Sequence, residues 1–153
     1  MSDNAEDKLG AGVGVDFVDR INAQSYRYQV VEESPDAEDG PDYYWNACYH
    51  AIAAANQALE LISTAPDSTV LTAHKGEALL ARAYAHFMLV TLYAKVYDPA
   101  TAASDPGVPY VTATEKQVFN QYSRSTVAYV YEMIEKDLTQ GYPLIDDQIY
   151  GTQ

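Results

Sequence analysis

The stretch Lys75–Asp98, KGEALLARAYAHFMLVTLYAKVYD, decides the fold. It has no glycine after Gly76 and meets no proline until Pro99. Ala and Leu, the strongest helix formers, dominate it. Leu79, Leu80, Ala83, Tyr84, Phe87, Met88, Val90, Leu92 and Tyr93 run almost all the way round a helical wheel. A helix that is apolar on most sides is expected to be central, covered by neighbours on more than one face. Its length would suit a membrane span, but Glu77, Arg82, His86 and Lys95 interrupt it, and charge at that density is costly in lipid. An unpaired Arg82 inside such a helix would also be costly. It is therefore expected to pair with Asp137 or with Glu77 of its own helix.

On the amino-terminal side, Asp42–Thr64 reads as a helix. Trp45, Cys48, Ile52, Ala55, Leu59 and Ile62 follow spacings of three and four. Pro41 and Asp42 suit its start, and Pro66 helps to stop it. The link to the next helix is short, so the pair is expected to form an antiparallel hairpin. On the other side, Ala100–Tyr122 has no sustained period and carries Pro106, Gly107 and Pro109, which predicts a long irregular loop. Ser123–Gln140 is predicted as a third helix, capped by Ser123 or Ser125, with Val127, Val130, Tyr131, Ile134 and Leu138 on one face. Gly141 is its expected stop. Before residue 42, Asp16–Ala23 suits a short helix, and Ser25–Val31 alternates as a strand or extended segment would. The expected organisation is an irregular acidic segment over residues 1–41 and a helical domain over 42–153.

The net charge of −13 is concentrated early: residues 1–50 carry eleven acidic and three basic side chains. A surface of that sign disfavours nucleic acid, whose phosphates need Lys and Arg, and disfavours anionic membrane surfaces. One cysteine, Cys48, excludes an intrachain disulfide framework. Met1–Gly10 is acidic and polar and does not read as a signal peptide. Fourteen tyrosines are present. Tyr suits helix seams, interfaces and carbohydrate surfaces alike, because its apolar ring carries a polar handle.

Motifs for chemistry fail one by one. Gly10, Gly12 and Gly14 imitate a phosphate loop, but Val15 stands where a third glycine is needed and no strand precedes it. Counting back from Gly40 as a calcium loop requires gives Asp39, Ala37 and Pro35, only one of them a ligand. His50, His74 and His86 share no metal-ligand spacing and read as helix-surface or helix-end residues. Cys48 lies on an apolar stripe, where a thiol acts as a small hydrophobe. No nucleophile motif occurs. The chain is read as a non-enzyme with no metal or cofactor.

Four blocks, in order, carry a family resemblance. Trp45, Asn46, Tyr49, Ile52, Ala55, Asn56, Leu59 and Ile62 form one. Gly76-Glu77-Ala78, Arg82-Ala83, Phe87, Leu89 and Tyr93 form the next, with Ala81 in place of the usual Leu before Arg82. Gly107-Val108-Pro109 and Ser123-Arg124-Ser125-Thr126-Val127, Tyr131, Ile134, Asp137-Leu138 complete the set. Together they resemble the amino-terminal, tetratricopeptide-like part of SusD/RagB-family proteins.

The resemblance implies an all-α fold: a tetratricopeptide-like antiparallel hairpin plus a third helix, with long irregular loops. It implies a cell-surface, outer-membrane lipoprotein that binds glycan or another nutrient beside a SusC-like, TonB-dependent transporter, without catalysis. Full members are several hundred residues long, so the chain is expected to be an amino-terminal scaffold, incomplete at its carboxyl end. The third helix should then leave an apolar face uncovered at Val130, Ile134, Leu138 or the Tyr129/Met133 side, open to self-association. Loop aromatics are the expected ligand contacts: Tyr26, Tyr28, Tyr43 and Tyr110. The alternative is a free-standing tetratricopeptide-like adaptor for a partner peptide, which the absence of a neighbouring transporter gene would favour.

Overall fold

The computed structural model describes residues 24, 27–30, 40–116 and 121–151. The chain divides into two compact units, Met1–Asn46 and Ala47–Gln153. Among the described residues every regular element is helical. They are α1 (Pro41–Thr64), α2 (Thr72–Tyr93) and α3 (Val127–Gly141), with short 3-10 turns at Thr69–Leu71, Tyr142–Leu144 and Asp147–Tyr150. The fold is all-α and tetratricopeptide-like, as the sequence implies. No helix among the described residues is long and apolar enough to cross a membrane.

In the first unit, Arg27 and Tyr28 form a turn in place of the expected extended segment. The Gln29 N–H donates to Gln24 O at 2.9 Å. Tyr28 and Val30 both face solvent, so their alternation has no sheet to serve. The short helix expected at 16–23 lies outside the described residues.

In the second unit, α1 buries Cys48, Ile52, Ala55, Asn56 and Ile62, the predicted stripe with one polar member. The tightest backbone packing is between α2 and α3, and two glycines permit it. A Cβ on Gly76 would lie 2.8 Å from Gly141 O, and one on Gly141 would lie 2.9 Å from Gly76 O. Gly141 has ordinary helical dihedrals (φ −85°, ψ −42°) and the chain continues into a 3-10 turn. It ends α3, as expected from sequence, and is also a contact point with α2.

The predicted helix ends shift for identifiable reasons. At Ala94 the backbone turns extended (φ −127°, ψ 172°), five residues before the turn at Pro99. Arg124 Nη2 donates to the last helical carbonyl, Tyr93 O, at 3.1 Å, and Lys95 turns away to Asp105 at 2.6 Å. The cap of α3 is Thr126, whose hydroxyl accepts from Tyr129 N at 3.2 Å, in place of Ser123 or Ser125. Its remaining first-turn donors find partners in the preceding loop: Val127 N donates to Asp105 O and Ala128 N to Ala102 O, both at 2.9 Å. A helix start normally leaves these groups without helical partners. Here they bind the loop 102–107 to α3.

α3 turns Val130, Ile134, Asp137 and Gly141 toward α2, and all four are buried. Val130 and Ile134 are thus covered, contrary to expectation; Tyr129 and Leu138 are the exposed members of that set. Nor is α2 covered all round, since Tyr84, Phe87 and Leu92 are exposed.

Candidate functional site

Where α1, α2, α3 and the long loop meet, six polar side chains gather: Arg82, Asp137, Asn56, His86, Tyr49 and Tyr110. Arg82 is the hub. Its Nε and Nη2 donate to the two oxygens of Asp137, each at 2.7 Å. Such a fork-to-fork pair is the strong form of ion pair. The pairing expected from sequence is found with Asp137; Glu77 instead accepts from the Tyr150 hydroxyl. Arg82 Nη1 donates to Asn56 Oδ1 at 2.8 Å. Burial works against the charge on Arg82, but the hydrogen bond and charge of Asp137, with help from Tyr110, outweigh it and raise its pKa.

His86, one turn on from Arg82, is fully buried. Its Nε2 lies 3.1 Å from Val111 N, a backbone donor, so Nε2 must be the acceptor. That places the ring proton on Nδ1, which donates to Arg82 O at 2.9 Å. Tyr110 stacks on the imidazole at 3.7 Å between centroids, and Tyr49 meets it edge-on at 6.4 Å. Burial pushes the imidazole pKa down to about 4 despite its bond to the Arg82 carbonyl. Burial pushes the phenols of Tyr49 and Tyr110 well up, and for Tyr110 the bond to Asp137 adds to it. At neutral pH the cluster therefore holds one paired cation, its carboxylate, a neutral imidazole and two neutral phenols.

Both imidazole nitrogens are engaged, and both oxygens of Asp137 accept from Arg82, one of them also from the Tyr110 hydroxyl at 2.6 Å. A cluster so saturated offers neither a base nor a nucleophile to a substrate. Its work is to hold backbone. Asn56 Nδ2 donates to Val111 O at 3.0 Å, and the Tyr49 hydroxyl to Pro109 O at 3.0 Å. Farther along, Glu60 accepts from Thr114 and pairs with Lys116 at 2.9 Å. These bonds hold its carboxyl below its ordinary pKa, the Thr114 bond most of all. No group of acidic, His or Cys side chains among the described residues is placed to hold a metal.

Of the four tyrosines expected to touch ligand, Tyr28, Tyr43 and Tyr110 lie among the described residues. Tyr28 is almost fully exposed, on a backbone with φ 54°, uncommon for any side chain but glycine. Tyr43 is half exposed on the first turn of α1. Tyr110 is half-buried, its face on His86 and its hydroxyl on Asp137. Tyr26 lies outside the described residues. Sequence reasoning missed His86 and Asn56. Each stands four residues from a residue it joins in the interior, His86 from Arg82 and Asn56 from Ile52, and that spacing was the available signal.

A family model described as "Starch-binding associating with outer membrane", SusD-like, matches residues 7–153. The chain is also similar to the solved structure of a SusD superfamily protein from Bacteroides thetaiotaomicron VPI-5482. The two share 25% identity at a TM-score of 0.60, over 76% of this chain and 29% of that one. No curated protein matches it. The chain thus spans less than a third of the length of the solved relative. With the four motif blocks, the helical architecture and a family match across nearly all its residues, the chain belongs to the SusD-like family and corresponds to an amino-terminal part of it.

Proposed function

We propose that the chain is the amino-terminal scaffold of a SusD-like protein that binds glycan at the outer surface of the outer membrane and works beside a SusC-like, TonB-dependent transporter. The observation that carries this reading is the starch-binding family match over residues 7–153. The chemistry of the interior supports a binding role over an enzymatic one, because every ionisable group of the central cluster is already engaged. The acidic surface suits a neutral ligand such as a glycan better than a polyanion.

Within this chain the ligand contacts we propose are Tyr26, Tyr28, Tyr43 and Tyr110, whose rings could pack on the C–H faces of sugars. Tyr28 has the most open ring of the three described, while Tyr110 has an edge left over from its structural bonds. Affinity electrophoresis in gels containing starch tests the reading. Retardation of the chain, relieved in Y28A/Y43A, is the expected result; migration unchanged by starch would remove ligand contact from this part of the protein. Co-purification of the full-length, membrane-anchored protein with a TonB-dependent transporter tests the partner.

A further inference from the structure

Phe87, Tyr97 and Tyr131 reach solvent together where the second half of α2 passes the first turns of α3. Phe87 is 41% exposed and Tyr97 45%, and half-buried Tyr131 touches both. Phe87 meets Tyr131 at 6.4 Å between centroids and Tyr97 meets it at 5.2 Å, with interplanar angles of 82° and 78°. An edge-on contact uses the face of one ring and the edge of the other. Two such contacts therefore leave most ring faces of the cluster unspent. Tyr110 is the counter-case: it lies flat on His86 at 3.7 Å, and its hydroxyl is spent on Asp137. Among the described residues nothing bonds the hydroxyls of Tyr97 and Tyr131.

The three rings are held by three parts of the fold. Phe87 stands on α2 and Tyr131 on α3, and these helices pack closely enough to require glycine at 76 and 141. Tyr97 follows α2 in a segment pinned on both sides. Lys95 Nζ pairs with Asp105 at 2.6 Å. Asp98 Oδ1 accepts from Ala100 N at 2.9 Å, and Asp98 O accepts from Thr101 N and Ala102 N at 3.0 and 2.7 Å. Rings fixed before a ligand arrives lose little freedom on binding it, which favours affinity.

The chemistry around the rings selects the ligand. Glu135 is exposed one turn on from Tyr131, and Asp98 is exposed next to Tyr97. Carboxylates accept from hydroxyl groups and repel phosphate and other anions, as does the net charge of −13. An apolar helix laid on the rings would bury the phenol hydroxyls without partners, at a cost. A sugar answers both features: its C–H face packs on an aromatic face, and its hydroxyls meet the phenols and the carboxylates.

We propose that Phe87, Tyr97 and Tyr131, with Glu135 beside them, form a contact site for a neutral glycan. The proposal rests on the glycan-binding reading above and gives it a location that its four tyrosines do not include.

The test compares the whole chain with Y97A and Y97F by affinity electrophoresis, in gels of graded starch content. Y97A should lower the association constant about fivefold, the worth of one aromatic contact, and Y97F, which keeps the ring, should lose less than Y97A. In the unaltered chain, the ring-proton NMR signals of Phe87 and Tyr131 should shift on addition of maltoheptaose. Helical circular dichroism should be the same in all three proteins. If starch retards the chain and Y28A/Y43A relieves it but Y97A does not, this site is overturned and the glycan-binding reading stands. If starch does not retard the unaltered chain and the ring signals do not move, both fall for this chain. Should Y97A lose its helical signal, the ring signals of the unaltered chain decide alone, and no shift overturns the site. A Y97A that only lowers self-association in light scattering assigns the rings to a protein contact and overturns it likewise.

Discussion

Arg82 and Tyr84 stand two residues apart on α2 and meet opposite environments. Arg82 is charged and buried, with Asp137, Asn56 and the loop around it. Tyr84 is largely apolar and exposed, and Phe87 on the same helix and Leu138 on α3 are partly so. The buried face of α2 is otherwise apolar, with Leu79, Ala83, Leu89 and Val90, and carries two polar side chains, Arg82 and His86, while Tyr84 lies outside. What separates them is partnership. Each polar group on the inner face is matched by a donor or acceptor from another element, so burial leaves none of them uncompensated. Near the outer face Phe87 and Tyr97 each meet Tyr131 edge-on, at 6.4 and 5.2 Å.

Removing one inner partner should therefore produce the largest effect. D137A leaves the guanidinium buried without its carboxylate and takes the acceptor from Tyr110. Breaking a buried pair from one side costs about 3–5 kcal/mol, and urea unfolding should show a loss in that range. R82M, which leaves Asp137 the Tyr110 bond, should cost less than D137A. The double variant R82M/D137L should regain most of the loss, since an apolar pair of similar volume replaces a buried ion pair at little cost. If R82M barely changes stability, Arg82 is in effect a surface residue and the contrast between the faces collapses.

The second effect depends on pH. Because the imidazole pKa falls from 6.5 in the unfolded chain to about 4 in the fold, the unfolded chain binds the extra proton as pH drops through that window. The contribution of His86 is complete above pH 6.5, declines between pH 6.5 and 4, and is gone below. A shift of that size corresponds to about 3 kcal/mol. His50 and His74 remain in H86Q, so the difference in pH slope between wild type and H86Q between pH 6.5 and 5 reports His86. Parallel slopes would mean that the ring is not held neutral by Val111 and its surroundings. A gain in exchange of the Val111 amide at low pH should accompany the loss, since a protonated Nε2 can no longer accept from it.

The sequence carried the three helices, the stripe on α1 and the partnership of Arg82 with Asp137, because each of these is written in local spacing or in the cost of an unpaired charge. The Arg82–Asp137 bond joins residues 55 apart, but the charge inside an apolar run announced that a partner was needed. Only its four-residue spacing from Arg82 hinted at His86, since a neutral imidazole can sit in either environment and its partner is a peptide N–H, which every residue but proline owns. The end of α2 and the start of α3 differ from expectation for a similar reason. Tyr93 ends α2 with an arginine 31 residues away on its carbonyl, and α3 begins where a distant loop supplies carbonyls to its first amides. Gly141 ends α3, as glycine after a periodic run usually does; only the approach of α2 shows that it is also a space.

That space gives the third prediction. In G141A the added methyl meets the Leu80 side chain and lies 2.9 Å from Gly76 O and Leu79 Cβ. Higher helix propensity should favour alanine by about 1 kcal/mol, whereas overpacking costs about 1–3 kcal/mol. The backbone carbonyl of Gly76 cannot rotate away as a side-chain tip can, so the net effect should be destabilising. Stabilisation on thermal unfolding would show that α2 and α3 can separate slightly at no cost.

The smallest effect on stability belongs to the outer face. Y84S truncates a residue that is 65% exposed, so little buried area is lost and the change should stay within about 0.5 kcal/mol. Its consequence should appear between molecules. Tyr84, Phe87 and Leu138 present apolar surface that water does not favour, while the net charge of −13 opposes contact between copies. Salt screens the second of these and leaves the first intact. Light scattering at high protein concentration should therefore show association that rises with salt and falls in Y84S/L138S. A particle that stays monomeric at high salt would mean that the aromatic contacts around Tyr131 already satisfy this face. The two sides of α2 would then differ in polarity, but not in how completely they are partnered.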